Sequence, residues 1–205
     1  MIEIDIWNNK LKFQTEESLF SPDAPDRGTM AMLKNIQLKE DDKLLDLGCG
    51  YGLVGISAAK VIGGERVFMV DINERAVEYA GLNAEANRVS GVTIKQGSGL
   101  EPVQDFDFTL ILSNPPYHTD FSVPKAFIED GFKHLLVGGK MVMVVKRLDW
   151  YKNKLTTIFG GVRVIEDDGY YILTAEKRAA LKTKPKEKKT TRKHEKLQSF
   201  KKRKQ

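Results

Sequence analysis

"LLDLGCGYGLVG", residues 44–55, is the stretch on which the fold turns. Its first half is a short apolar run of the kind that forms a strand buried on both faces. Gly48, Gly50 and Gly52 then let the backbone turn tightly and come close to a ligand, and Leu53 begins a helix whose amino terminus exposes unpaired N–H groups. A strand, a glycine turn and a helix in this order predict a cofactor loop. Nucleotide oxidoreductases hold a pyrophosphate on a similar turn, and such glycines also permit close packing of helix on strand. Asp46 points to a different ligand: a carboxylate two residues before the first glycine would lie close to a bound molecule and suits a cation better than a diphosphate.

Further along, "RVFMVD", "VTIKQG", "DFTLILSN" and "GKMVMVVK" repeat the buried-strand pattern. Helical stretches separate them, read as Leu53–Val61, Glu74–Asn87, Val123–Leu136 and Trp150–Phe159. "GVRVIED" and "YYILTAEK" turn near Asp168 and Gly169 and predict an antiparallel pair at a sheet edge. The expected fold class is α/β, with a doubly wound, mostly parallel sheet of seven strands. Ahead of it, "IEIDIW" and "KLKFQT" alternate around Asn8 and Asn9, both tolerant of positive φ, and predict a short hairpin.

Charge divides the chain. The 205 residues carry a net charge of +5, but 14 of the 33 Lys and Arg fall in Lys177–Gln205 with only Glu187 and Glu195 against them. That segment is +12 and the rest is −7. We expect a domain over residues 1–176 and, over 177–205, a basic tail too poor in apolar residues to offset its ordering entropy. Such a tail suits an RNA-gripping arm that displaces counterions from phosphates, or serves simply as a solubilising terminus. The single Cys49 excludes an internal disulfide, no apolar run approaches a membrane span, and no signal region precedes residue 12. A cytoplasmic protein with no membrane partner and no bound metal is expected; oligomeric state leaves no mark on the pattern.

In a doubly wound sheet, ligands sit beyond the carboxyl ends of the strands, where the strand order reverses. Asp71 closes "RVFMVD" about 20 residues after the glycine loop, the spacing of a ribose-binding acid. It could instead cap the next helix, but Asn73 can do that and free Asp71. Ser98, in "KQGSG", could meet an adenine edge or form a plain turn. "SNPPYH", residues 113–118, closes the fourth strand. The Asn114 amide oxygen and the Pro115 carbonyl could accept both hydrogens of one –NH2 group, Pro115 and Pro116 stiffen the turn, and Tyr117 offers a face to a planar ring. No strong base is needed, since a neutral amine sheds its proton after attack, so His118 is read as a loop residue.

"LLDLGCGYG", Asp71 and "SNPPY" together resemble class I S-adenosylmethionine-dependent methyltransferases that modify planar exocyclic amines or amides. With "SLFSPDAPDRGTMAML" ahead of the first strand and "GGKMVMVV" later, the chain is similar, over roughly Ser18–Glu176, to the small-domain methyltransferases, which include the catalytic half of bacterial rRNA guanine-N2 methyltransferases. The resemblance implies that Phe20, Asp26, Gly28 and Thr29 fold over the methionine end of S-adenosyl-L-methionine, though Phe20 could equally be core. It also implies that Gly48, Cys49, Gly50 and Gly52, with Asp46, line the same cofactor. Asp71 and Ile72 would hold its ribose side, Ser98 its adenine, and Asn114 to Tyr117 the target base, with Asn114 also meeting the cofactor. Lys146 and Arg147 could meet RNA phosphate or simply be solvated.

The function implied is methylation of an exocyclic amino group of RNA, foremost guanine N2 in ribosomal RNA. Adenine N6 in RNA or DNA, a protein glutamine amide, and a non-catalytic RNA-binding assembly factor stay open as alternatives. The known rRNA guanine enzymes often carry a second, degenerate domain for which this chain has no room, and the stretch after His118 is shorter than theirs. Both departures bear on the substrate.

Overall fold

A computed structural model of the chain describes residues 1–105, 107–116 and 121–179. Strands β1 (Ile2–Ile6) and β2 (Asn9–Phe13) pair as an antiparallel hairpin. Its turn lies one residue earlier than the sequence suggested. Ile6 pairs with Asn9, and the two turn residues with positive φ are Trp7 (48°) and Asn8 (62°). Asn9 joins the strand and donates its side-chain amide to the Trp7 carbonyl at 2.9 Å, which supports the strained Trp7 conformation.

Helix α1 (Arg27–Asn35) follows, then β3 (Leu44–Leu47), α2 (Leu53–Ile62), β4 (Val67–Asp71), α3 (Glu74–Ala86) and β5 (Thr93–Gln96). The second half comprises β6 (Phe108–Ser113), α4 (Ser122–His134), β7 (Leu135–Val145), α5 (Leu148–Phe159), β8 (Arg163–Asp167) and β9 (Tyr170–Glu176). The helix α1 is not among the four the sequence predicted. At nine residues, with Gly28 in its first turn, it has too short an apolar pattern to stand out, and its stability comes from packing. α4 stops at His134 because Leu135 and Leu136 belong to β7.

The main sheet has seven strands in the order β5-β4-β3-β6-β7-β9-β8, parallel except where β9 pairs with β7 and β8. Side chains alternate across it: Leu44 enters the core layer under α1, α2, α3 and the β1–β2 hairpin, while Leu45 and Leu47 enter the layer under α4 and α5. With a helix layer on each face, all four residues of β3 are buried, which is why its sequence is continuously apolar apart from Asp46. The β8–β9 turn does fall at Asp168 and Gly169, both at positive φ. The β7–β9 ladder continues past Glu176: the Lys177 N–H reaches the Gly139 carbonyl at 2.9 Å, and the Gly138 N–H reaches the Lys177 carbonyl at 2.7 Å. Strand order reverses between β3 and β6, so both windings leave an opening at the carboxyl ends of these two strands.

Candidate active site

At the reversal point, the buried Ser113 hydroxyl donates to the Leu47 carbonyl at 2.8 Å and ties the end of β6 to the end of β3. Above this tie lies a cavity of about 870 Å³. One wall is the glycine loop, which is held to β4 by its backbone. The Gly48 and Cys49 N–H groups both reach the Val70 carbonyl, at 2.9 and 3.0 Å, and the Gly50 N–H donates to Asp71 Oδ2 at 2.8 Å. Gly48, Cys49, Gly50, Asp71, Ile72 and Ser98 all line the cavity. Gly52 does not; its φ is +91°, and a Cβ there would meet Ile56 Cδ1 at 2.7 Å and Ala80 Cβ at 3.2 Å, so its role is to let α2 lie against α3.

Asp71 is oriented from both sides. Besides Gly50, it accepts from the Asn73 N–H through Oδ1 at 2.9 Å, while Asn73 caps α3 by accepting from the Arg75 N–H. Asn73 therefore caps the helix as expected but does not leave Asp71 free, because a carboxylate at a strand end meets the first N–H groups of the next turn. Asp46 is 2 % exposed, lines the cavity and accepts from the Gly55 N–H at 2.8 Å. Burial pushes its pKa up to about 7, Asp71 adds in the same direction, and the Gly55 N–H opposes them. Burial also raises the Cys49 thiol well above its ordinary value.

The facing wall comes from the other winding. Asn114, Pro115 and Pro116 follow β6 into the cavity, and Asp26 and Thr29 of the first turn of α1 stand beside them. Both hydrogens of the Asn114 amide are engaged by that turn, with Asp26 Oδ1 at 2.8 Å and Thr29 Oγ1 at 2.9 Å. Asp26 Oδ1 also caps α1 by accepting from the Thr29 N–H at 2.7 Å. Gly28 is turned away from the cavity, pressed beneath the Tyr170 ring, where a Cβ would lie 2.6 Å from Cε1. The same face of α1 is fastened to the β8–β9 turn by Arg27, whose Nε lies 2.8 Å from Asp168 Oδ2, and by Asn35, 2.7 Å from Asp167 Oδ2. Phe20 is 53 % exposed and lines the cavity, so it is not a core residue. Tyr117 and His118 lie outside the described residues.

Several lining residues went unread in the sequence. Phe127, Val123 and Ala126 of α4 close the cavity floor, and at helical spacing they look like any core-facing stripe. Ser113, which ties the two strand ends without lining the cavity, gave no signal either, since a Ser before Asn114 reads as the start of a turn. Among the described residues, no group of His, Cys, Asp or Glu could hold a metal ion, and no helix is long and apolar enough to cross a membrane.

Residues 10–174 match the methyltransferase small domain family. The chain belongs to that family. Among relatives, it is 32% identical over 176 residues to the uncharacterized protein YbxB of Bacillus subtilis (strain 168), covering 83% of this chain and 88% of that one. It is 30% identical over 177 residues to the ribosomal RNA small subunit methyltransferase C of Pseudomonas putida (strain W619), covering 84% of this chain and 53% of that one. The chain thus spans about half the length of the rRNA methyltransferases it matches. Among solved structures, the T. thermophilus 16S rRNA N2 G1207 methyltransferase RsmC, in complex with AdoMet and guanosine, superposes with a TM-score of 0.79 at 24% identity, over 86% of this chain and 50% of that one. That likeness establishes the fold. In this methyltransferase small domain, the glycine loop and the Asn-Pro-Pro turn are the two walls of one cavity.

Proposed function

We propose that this methyltransferase transfers a methyl group from S-adenosyl-L-methionine to an exocyclic amino group of a base in RNA, foremost guanine N2 of ribosomal RNA. The observation that carries the reading is convergence. Asp71 and Asn114 end strands on opposite sides of β3, yet face one cavity, with Asn114 turned so that its amide nitrogen is spent on α1.

The residues fit the cofactor. Each Asp71 oxygen holds one N–H and keeps further acceptor capacity, which suits a vicinal diol. A Cβ at Gly50 would meet nothing within 4 Å, so the bare backbone fronts open space where the methionine end would pass, with Asp46 beneath to answer its positive charge. Ile72 and Ser98 line the same cavity as Asp71 and would flank the adenine. When bound, S-adenosylmethionine would supply a sulfonium methyl carbon that a nitrogen lone pair can attack, an N–C bond forming as the C–S bond breaks and its electron pair leaves with sulfur.

The chain's part is to hold the amine. The Asn114 oxygen and the Pro115 carbonyl accept its two N–H groups, which draws the lone pair out of conjugation and toward the methyl. Tyr117 would stack on the ring. The surplus proton can pass to water afterwards, so catalysis rests on alignment, a term that can supply roughly 7–11 kcal/mol. RNA as substrate is supported by the +12 charge of residues 177–205 and by the rRNA relatives. The test is to incubate the protein and methyl-labelled cofactor with naked rRNA, ribosomal subunits, tRNA, DNA and release factor, then digest and identify the labelled unit. Label in guanosine N2 supports the assignment; label in adenine N6 or in protein glutamine replaces it, and no label in any substrate leaves an RNA-binding assembly role.

A further inference from the structure

Asp26 and Thr29, at the start of α1, line the cavity, yet Asp26 Oδ1 and Thr29 Oγ1 both accept from the Asn114 side chain. We propose that Asp26 and Thr29 are positioning residues for Asn114, fixing which end of its amide faces the substrate, rather than groups whose main task is to bind the cofactor. The proposal rests on the preceding reading of Asn114 as the acceptor of the target amine.

A primary amide has two orientations of nearly the same shape, one presenting an oxygen and the other an NH2 group. Only the first can accept from a substrate amine. The structure discriminates between them by surrounding one end with acceptors: the Asp26 carboxylate accepts and never donates when ionised, and Thr29 Oγ1 lies 2.9 Å away on the same end. Flipping the amide would set its oxygen against the Asp26 carboxylate, a contact of two acceptors. Asp26 is itself held by the Thr29 N–H at 2.7 Å, and α1 is seated against the β8–β9 hairpin through Gly28 beneath Tyr170 and Asn35 on Asp167. Thr29 is 7 % exposed, so its hydroxyl is not a surface group that met Asn114 by chance. The wall therefore runs from the sheet edge through α1 to the reacting site.

The test separates positioning from cofactor binding and from folding. Asp26→Ser keeps an oxygen to cap α1 but is too short to reach Asn114; Thr29→Val keeps the shape and removes the acceptor; Asp26→Asn and Thr29→Ser retain an acceptor at each place. Methyl transfer to RNA, cofactor Kd by calorimetry, and the side-chain 15N–1H pair of Asn114, assigned by its loss in Asn114→Ala, are measured for each in the full chain. We expect Asp26→Ser and Thr29→Val to lower kcat by roughly 10- to 100-fold, as a misplaced catalytic group does. Cofactor Kd and RNA KM should hold within about twofold, the amide protons should exchange with water faster, and the two conservative variants should recover most of kcat. A cofactor Kd weakened as much as kcat, or an Asn114 amide signal unmoved in both disruptive variants, overturns the proposal. If the wild type methylates no RNA, the functional reading fails on its own, and the amide signal still decides whether the lock exists.

Discussion

The side-chain amide of Asn83 donates to the Tyr51 carbonyl at 2.9 Å and, through the same nitrogen, to the Gln14 carbonyl at 3.0 Å, while its oxygen accepts from the Gln14 N–H at 2.7 Å. Asn83 is fully buried, and one turn later Asn87 pairs with Lys12 in the same way, its oxygen accepting from the N–H at 3.0 Å and its amide donating to the carbonyl at 2.7 Å. Helix α3 and its C-cap Asn87 thus offer two amides as partners to the end of β2 and the residue after it, and the first also anchors the glycine loop. Asn83→Leu should leave the buried Tyr51 carbonyl and the half-buried Gln14 backbone bonds without their partner, a buried group costing about 1–3 kcal/mol, and lower stability by about 2–4 kcal/mol. Asn87→Ala, at the exposed end, should cost less. Urea unfolding of both variants checks the order.

Asp46 should make stability and, if it faces the cofactor as proposed, cofactor binding depend on pH in opposite senses. Its ordinary pKa is 3.8 and burial raises it to about 7 in the fold, so between about pH 4 and 7 the folded protein keeps a proton the unfolded chain has lost. Stability attributable to this group falls as pH rises through that window and levels off above it. A cationic ligand favours the ionised form, so cofactor affinity should rise from about pH 6 to 8 with proton release on binding. Asp46→Asn should flatten both profiles, read by urea midpoints and by calorimetry in buffers of different ionisation enthalpy.

Replacing Asp71 should cost cofactor affinity through two routes. Asp71→Ala removes the acceptor for the Gly50 N–H and the one for the Asn73 N–H, loosening the loop as well as removing the proposed ribose contact. Asp71→Asn keeps the shape but sets an amide NH2 against one of those N–H groups. Both variants should raise cofactor Kd by about tenfold or more, with the Asn variant no better than the Ala variant, since a donor facing a donor is worse than a gap. Calorimetric titration with S-adenosylmethionine reads the difference directly.

Truncation after Ala179 removes 12 Lys and Arg with Glu187 and Glu195, yet spares Lys177, whose backbone extends the β7–β9 ladder. Thermal stability should be unchanged, while the dependence of RNA affinity on salt should flatten because fewer phosphates are neutralised. A slope equal to that of the full chain would make the tail a bystander.

The strands that build the cavity were legible because burial on both faces leaves a simple signature: "LLDL" and "FTLILS" can carry apolar residues on both faces only if helices cover both sides. The glycine loop and "NPP" were legible for a related reason, since backbone-limiting residues at strand ends record local geometry. α1 was not, because its nine residues are stabilised by Tyr170, Asp167 and Asp168, more than 130 positions away, and nothing local records them. The hairpin turn was misplaced by one residue, since two adjacent asparagines tolerate positive φ equally and only the strand register decided for Trp7 and Asn8.

By itself, then, the amino-acid order determined the sheet class and placed the glycine loop and the Asn-Pro-Pro turn at strand ends, each written in residues close together in the chain. Only the tertiary structure decided which way the Asn114 amide faces, that Gly28 and Gly52 serve packing rather than the cavity, and how strongly Asp46 is held from ionising. Those outcomes depend on partners from distant segments and on the exclusion of water, and neither exists until the two windings close on each other.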